Sequence, residues 1–185
     1  MNEKMYIRSI INRQLISIYN SMNNILNHLE IEQKINRLAH ELLENCFEEE
    51  EIFIAGISGN GSILAEKLKL ILTKNTPQSI QVVKITVNKD EPWSEPISLS
   101  VPEETLKNGF IILVDDVLNS GKTMQYALVK LLERPTKAIK TLALVDRSHR
   151  RYPIKADFVG LSLSTTLKER VEVDLSSNNS HAYLI

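Results

Sequence analysis

The sequence predicts a doubly wound, mainly parallel α/β sheet behind an N-terminal helical extension, and three observations predict it. Helical apolar patterns alternate with strand runs along most of the chain. Three of those runs, Ile52 to Ile57, Phe110 to Val114 and Ile139 to Val145, are nearly all apolar, as strands covered on both faces must be. Glycine-bearing polar turns follow two of them where a helix is due to begin. At 185 residues the chain falls within the roughly 100–200 residues of one domain, so one core is expected rather than two.

In order, residues 1–29 carry Ile11, Leu15, Ile18, Met22, Ile25 and Leu29 in alternating steps of four and three, an a/d seam on a helix otherwise rich in Asn and Ser. Such a helix packs on its own domain or pairs with a second subunit. Ile31, Ile35, Leu38, Leu42 and Cys46 then mark a helix that feeds the first apolar strand across the run Glu48 to Glu51. A second helix runs through Ile63, Leu64, Leu68, Ile71 and Leu72 and breaks at Thr76-Pro77 ahead of the β-branched run Val82 to Val87, closing a β-α-β unit. Residues 88–109, with four prolines or glycines among mixed polar residues, read as a long functional loop with room for a short edge hairpin. The strand Phe110 to Val114 leads to a helix carrying Met124, Ala127, Leu128, Leu131 and Leu132, and then to the strand Ile139 to Val145. Short strands near Asp157 to Leu161, Val171 to Leu175 and Ala182 to Ile185 extend or flank the sheet.

Composition removes several function classes. Apolar types make up 43% and charged types 24%, which is globular rather than disordered. The 22 Lys and Arg against 23 Asp and Glu leave a formal charge of −1, so a nucleic-acid or lipid partner would need a local patch. No run approaches the about 18 apolar residues of a membrane span, and Arg8, Asn12, Arg13 and Gln14 interrupt any signal-peptide core. The lone Cys46 sits among helical residues, which suits a buried small apolar group better than a nucleophile and fits a reducing cytoplasm. His28 and His181 read as surface or loop residues, and no His/Cys spacing suggests zinc.

The chemistry concentrates in Ile111-Ile112-Leu113-Val114-Asp115-Asp116-Val117-Leu118-Asn119-Ser120-Gly121-Lys122-Thr123, between a buried strand and an amphipathic helix. Gly121 lets backbone approach an anion, and Ser120, Lys122 and Thr123 add hydroxyl and ammonium donors beside the unpaired amides of a helix start. Two carboxylates just ahead would repel a bare phosphate but suit a sugar's vicinal hydroxyls or a divalent cation, so the combination reads as a site for a phosphorylated ribose. A Walker P-loop is the wrong explanation of Gly-Lys-Thr, because the glycine it needs five positions earlier is Asp116. Gly56-Ile57-Ser58-Gly59-Asn60-Gly61 is a second strand-to-helix turn. It lacks the third glycine of a dinucleotide fingerprint, at Leu64, and serves either as a backbone nest for a diphosphate or as a tight turn.

The 13-residue run resembles the phosphoribosyl-diphosphate (PRPP) motif of type I phosphoribosyltransferases. With Arg37-Leu38-Ala39-His40-Glu41-Leu42, Leu144-Val145-Asp146-Arg147-Ser148-His149-Arg150 and Pro153-Ile154-Lys155-Ala156-Asp157-Phe158-Val159-Gly160, residues 25–185 resemble the bifunctional pyrimidine operon regulator and uracil phosphoribosyltransferase family. Residues 1–24 lie outside the resemblance, as an N-terminal helical extension to a 25–185 phosphoribosyltransferase domain.

The resemblance implies a type I phosphoribosyltransferase-like fold and transfer of ribose 5-phosphate from PRPP to a pyrimidine, uracil first, giving UMP and pyrophosphate. It implies that Asp115 and Asp116 hold the ribose hydroxyls, with Val117, Leu118 and Asn119 leading into Ser120, Gly121, Lys122 and Thr123 around the 5-phosphate. Ser58, Gly59, Asn60 and Gly61 stand at the pyrophosphate loop, and Val145, Asp146 and Arg147 at the base side. Mg²⁺ is held mainly by the substrate, with Asp115 and Asp116 as indirect contributors. The family's pyrophosphate loop carries Thr-Arg-Gly where this chain has Gly59-Asn60-Gly61, and its long loop opens on Tyr-Arg-Asp-Asp where this chain has Asn88-Lys89-Asp90-Glu91. Lys89 keeps a catalytic charge without the planar fork of arginine. These departures leave weakened transfer or a changed base open, a purine included. The family also implies a cytoplasmic homo-oligomer, dimer or higher, and an alternative role as a nucleotide-sensing regulator that binds an mRNA leader through Arg37, His40 and His149. From Arg134 to Lys155, seven Lys and Arg stand against Asp146 alone, either a nucleic-acid patch or a solvated face that offsets the Glu48 to Glu51 run. No membrane association is implied.

Overall fold

The computed structural model describes residues 24–164, 170–176 and 179–185. Strand β1 (Asn24–Leu26) leads into helix α1 (His28–Asn45). Strand β2 (Glu51–Ile57), helix α2 (Asn60–Asn75) and strand β3 (Ser79–Thr86) follow. A two-residue strand β4 (Ser98–Leu99) and a 3₁₀ turn (Glu103–Leu106) precede β5 (Phe110–Leu118), α3 (Lys122–Leu131) and β6 (Ala138–Asp146). Strands β7 (Phe158–Ser162), β8 (Val171–Asp174) and β9 (His181–Leu184) complete the chain.

The main sheet has the order β4-β3-β2-β5-β6-β7, parallel throughout except for the edge strand β4. Side chains alternate across it as the two-residue strand period requires. Ile52, Ile54, Ile112, Val114, Leu142 and Leu144 meet Ile31, Ile35, Leu38 and Leu42 of α1 and Leu64 and Leu68 of α2 on one face. Phe53, Ala55, Ile57, Ile111, Leu113 and Ala143 meet Met124, Ala127 and Leu131 of α3 on the other. This is the doubly wound architecture, with its wide loop tied to β3 by the β4 edge hairpin. The order of winding reverses between β2, from which the chain steps outward to β3, and its parallel neighbour β5, from which it steps the other way to β6. Ligand sites of open α/β sheets lie at the carboxyl ends of the strands flanking such a switch point.

Two expectations are corrected. The N-terminal seam does not run through Ile25 and Leu29 as one helix. Asn24–Leu26 is a strand, and α1 starts afresh behind a capping box in which the Asn27 side chain accepts from the Glu30 amide (3.0 Å) while the Glu30 carboxylate accepts from the Asn27 amide (2.8 Å). The rest of that seam, Ile11 to Met22, lies outside the described residues. Strand β5 also passes Val114 and runs to Leu118, because pairing with β6 continues through Asp115↔Ala143 and Val117↔Val145, so both acids belong to the strand. Of the closing strands, β7 extends the main sheet, whereas β8 and β9 join β1 in a separate antiparallel sheet of order β1-β9-β8. Cys46 is buried, and burial pushes its thiol up to about 11, so it behaves as a small apolar group. Among the described residues no helix is long and apolar enough to cross a membrane.

Candidate active site

Two adjoining cavities open at the switch point. The larger, about 450 Å³, is walled by Asn60, Lys89, Asp115, Asp116, Asn119 and Thr123 on the main-sheet side, by Arg170 to Val173 at the small sheet, and by the buried Arg147. The smaller, about 50 Å³, is a recess bounded by Asp115 and by Val117 to Met124. All nine residues from Asp115 to Thr123 line one or the other, so the sequence-predicted run forms one continuous surface.

The recess is set by Gly121. Its φ of +83° is a conformation that costs an L side chain about 1–2 kcal/mol. A Cβ there would also lie 2.6 Å from Ile154 Cγ2. Behind the turn, the amides of Arg151 and Tyr152 both donate to the Ser120 carbonyl, at 2.9 and 3.1 Å, so residues 151–154 buttress the cradle from outside. The first amides of α3 have no intrahelical acceptor, that of Lys122 donating to Ser120 Oγ at 3.3 Å, and these residues border the recess, so the helix start offers positive potential to an anion there.

Lys122 departs from its expected place. Its ammonium donates to the Asp90 carbonyl (2.5 Å) and lies 5.3 Å from the ring centroid of Trp93, which in turn packs on Tyr126 at 6.2 Å. The charge is held against the 88–93 loop rather than turned into the recess.

The acids are asymmetric. Asp115 is buried, its Oδ1 accepts from the Asp116 amide (3.0 Å), and Lys89 Nζ lies 3.2 Å from that same oxygen and 3.5 Å from Asp116 Oδ1. Burial first, and then the adjacent Asp116 charge, push the Asp115 carboxyl up to about 8 against the pull of Lys89. For Lys89, burial alone would lower the ammonium, but attraction to both acids outweighs it and the net direction is up. The two acids, with Lys89 between them, present adjacent oxygens that hydroxyl donors or a cation can share. Among the described residues no cluster of three or more His, Cys, Asp or Glu stands ready to hold a metal by itself. Asp115 and Asp116, as adjacent oxygen donors, fit a Mg²⁺ ion chemically.

The other predicted residues separate into those that reach the cavity and those that support it. Of the loop Ser58 to Gly61, Asn60 faces the cavity, while Gly59 supplies a φ of +93° and Gly61 abuts β5, where a Cβ would lie 3.0 Å from the Val114 carbonyl. Of the base-side trio, Arg147 reaches the cavity and contacts His149 Nδ1 at 3.3 Å. Val145 is in the core, and Asp146 accepts from the Ser148 amide and pairs with Arg150. Arg37 pairs with Glu41 and donates to the carbonyls of Val159 (2.8 Å) and Gly160 (2.9 Å), joining α1 to β7, while His40 is exposed. Part of the basic run pairs with acids at the surface: exposed Lys137 meets Glu49 at 2.7 Å, and exposed Arg134 meets Glu103 at 3.2 Å. Lys140, Arg151 and Lys155 are exposed as well. Sequence reasoning missed Arg170 and Glu172, which reach the cavity only because the small sheet folds back over it; no local pattern announces that return.

The comparisons with known proteins agree with this geometry. The model of the phosphoribosyl transferase domain matches residues 21–176. A relative from Streptomyces coelicolor named "Bifunctional protein PyrR" is 34% identical over 163 residues, covering 84% of each chain. Another of the same name, from Brevibacillus brevis, is 35% identical over 161 residues, covering 82% of this chain and 89% of the relative. Among solved structures, a hypoxanthine-guanine phosphoribosyltransferase from Bacillus anthracis superposes with a TM-score of 0.67 at 17% identity, covering 88% of this chain and 97% of that one. The hypoxanthine phosphoribosyltransferase of Trypanosoma cruzi, solved with IMP, reaches 0.69 at 15% identity over 88% and 84%. These two likenesses establish the fold. The matched domain, the identity to relatives over most of their length and the acid pair set above an anion-sized recess together place this chain in the phosphoribosyltransferase family, among the relatives named bifunctional PyrR.

Proposed function

We propose that the protein transfers the 5-phosphoribosyl group of PRPP to a ring nitrogen of a pyrimidine, with uracil as the first candidate and UMP and pyrophosphate as products. The observation that carries this reading is the shared wall of the two cavities: a recess of about 50 Å³ opens beside two carboxylates, as a ribose 5-phosphate requires of its phosphate and its diol. The α3 amides hold the phosphate, and Asp115 and Asp116 accept from the 2- and 3-hydroxyls. Lys89 and Arg170, both lining the larger cavity, supply positive charge to the diphosphate, a role the Gly59-Asn60-Gly61 loop has no cation to fill. Arg147, in the same cavity wall, is left for the base. The C1–N bond forms as the C1–O bond to diphosphate breaks, through a cation-like sugar, and the proton of the ring N–H leaves with the departing diphosphate, so placement and charge do the catalytic work. Asp115 and Asp116 would border a Mg²⁺ bound with PRPP, which would supply positive charge to the leaving diphosphate.

The test is calorimetric titration of Mg²⁺-PRPP, followed by turnover with uracil, cytosine, hypoxanthine and guanine. Micromolar to millimolar PRPP binding that Asp115→Asn and Asp116→Asn abolish, with turnover on uracil, supports the proposal. An absence of PRPP binding, or variants that bind like the parent, ends it. A purine as the preferred base redirects the specificity and leaves the transfer chemistry standing.

The relatives are named as bifunctional, and a nucleotide-sensing RNA regulator is the second reading. It draws on exposed His40, Lys140, Arg151 and Lys155. Salt-dependent binding to the protein's own leader transcript, tightened by UMP, supports it; affinity indifferent to UMP rejects it.

A further inference from the structure

Among the described residues strand β8 is the outer strand of the small sheet, and its outer edge meets Asn60 at the start of α2. Polar groups on such an edge need partners. Two of them find the Asn60 side chain: Nδ2 donates to the Val173 carbonyl at 2.6 Å, and Oδ1 accepts from the Leu175 amide at 3.2 Å. The carboxamide thereby takes the place a peptide group of a neighbouring strand would hold. Nδ2 also lies 3.2 Å from Asp116 Oδ2, as donor. The loop has little freedom to withdraw, since Gly61 lies against β5 and Gly56 is so close to α2 that a Cβ would meet the Gly61 carbonyl at 2.8 Å.

We propose that Asn60 is a positioning residue that suspends the small sheet over the cavity and makes the seating of β8 respond to occupancy of the sugar-binding acids. This rests on the reading given under Proposed function. Asparagine fits the task because its carboxamide offers donor and acceptor together, whereas aspartate has no donor and arginine no acceptor. A diol that draws on Asp116 changes the third contact of this one amide, and the other two lie on the strand that closes the cavity. Position 60 thus serves closure rather than charge.

Amide hydrogen exchange over residues 170–176 of the full chain reads the brace directly, without and with Mg²⁺-PRPP, in the parent, Asn60→Asp and Asn60→Ser. In the absence of ligand both variants exchange about tenfold faster there, the effect of losing one to two hydrogen bonds, while peptides over 110–118 stay as in the parent. Bound PRPP slows exchange at 170–176 in the parent and has a smaller effect in the variants, and KM for PRPP rises more than kcat falls. Asn60→Ser decides the matter if Asn60→Asp does not fold. Parent-like exchange at 170–176 in a folded variant overturns the brace, and unchanged parent exchange with PRPP bound overturns the coupling. If PRPP does not bind the parent at all, the transferase reading fails, while the ligand-free comparison still decides whether Asn60 holds β8.

Discussion

Replacing Asp115 by Asn should stabilise the protein while disabling it, and the gain should grow with pH. In the folded chain burial and Asp116 hold this carboxyl at about 8, against 3.8 for the ordinary group. A raised carboxyl pKa means that between these values the native state keeps a proton the unfolded chain has released. Stability therefore falls as pH rises from about 4 to about 8 and is level above that. Below pH 4 both states are protonated and the group is neutral in the balance. Asparagine has the same shape and carries no charge, so its advantage is absent near pH 4 and full near pH 8.5. The pull of Lys89 is already contained in that raised value, so the shift of about four units sets a ceiling of about 5–6 kcal/mol. Relaxation of the fold and sharing of charge with Asp116 leave a net stabilisation of about 2–3 kcal/mol at pH 8.5, or roughly 4–12 °C in Tm for a chain of this size. The assay is urea unfolding of parent and variant at pH 4.5, 6.5 and 8.5. A difference in stability that does not change with pH, or one that favours the parent at pH 8.5, refutes the argument that Asp115 is held uncomfortably in the fold.

Gly121→Ala should cost about 2–3 kcal/mol from the left-handed backbone and the contact with Ile154, and should remove PRPP affinity by closing the recess; a variant that binds PRPP normally contradicts the cradle assignment. Arg37→Ala should lose about 1–2 kcal/mol, because two carbonyls of β7 lose a charged donor, with PRPP affinity unchanged in calorimetry. If Arg37→Ala leaves unfolding untouched, its tie to β7 is not structural. Cys46 should resist thiol reagents at pH 8 in the native protein and react at once in denaturant, as its buried, raised thiol requires; fast native labelling would show α1 opening.

The sheet was legible because its signals are local. Apolar runs announce β2, β5 and β6, and the spacing from Ile31 to Cys46 draws the buried face of α1. Strand β1 was hidden because three residues cannot show a period, and Ile25 happens to continue the helical steps before it. Asn27 and Glu30 carried the corrective signal, a capping box that starts a helix. The site was legible as chemistry but not as direction. Asp115 to Thr123 gave its floor, yet Lys122 turns away because an aromatic face and a carbonyl on a loop some 30 residues earlier compete for its charge. Of the two readings of the basic run, the solvated face that offsets the Glu48 to Glu51 run has a contact behind it, since exposed Lys137 pairs with Glu49 from 88 positions away. Arg170 and the Asn60 brace are invisible in the sequence, since each acquires meaning only when the small sheet folds over the switch point.

A crystal structure of the protein with UMP and Mg²⁺ tests the central claim most directly. The account predicts the phosphate seated on the amides of Gly121 to Thr123, with the ribose hydroxyls on Asp115 and Asp116 and the uracil toward Arg147. A nucleotide bound elsewhere, or a phosphate in the recess with its sugar turned away from both acids, would contradict it.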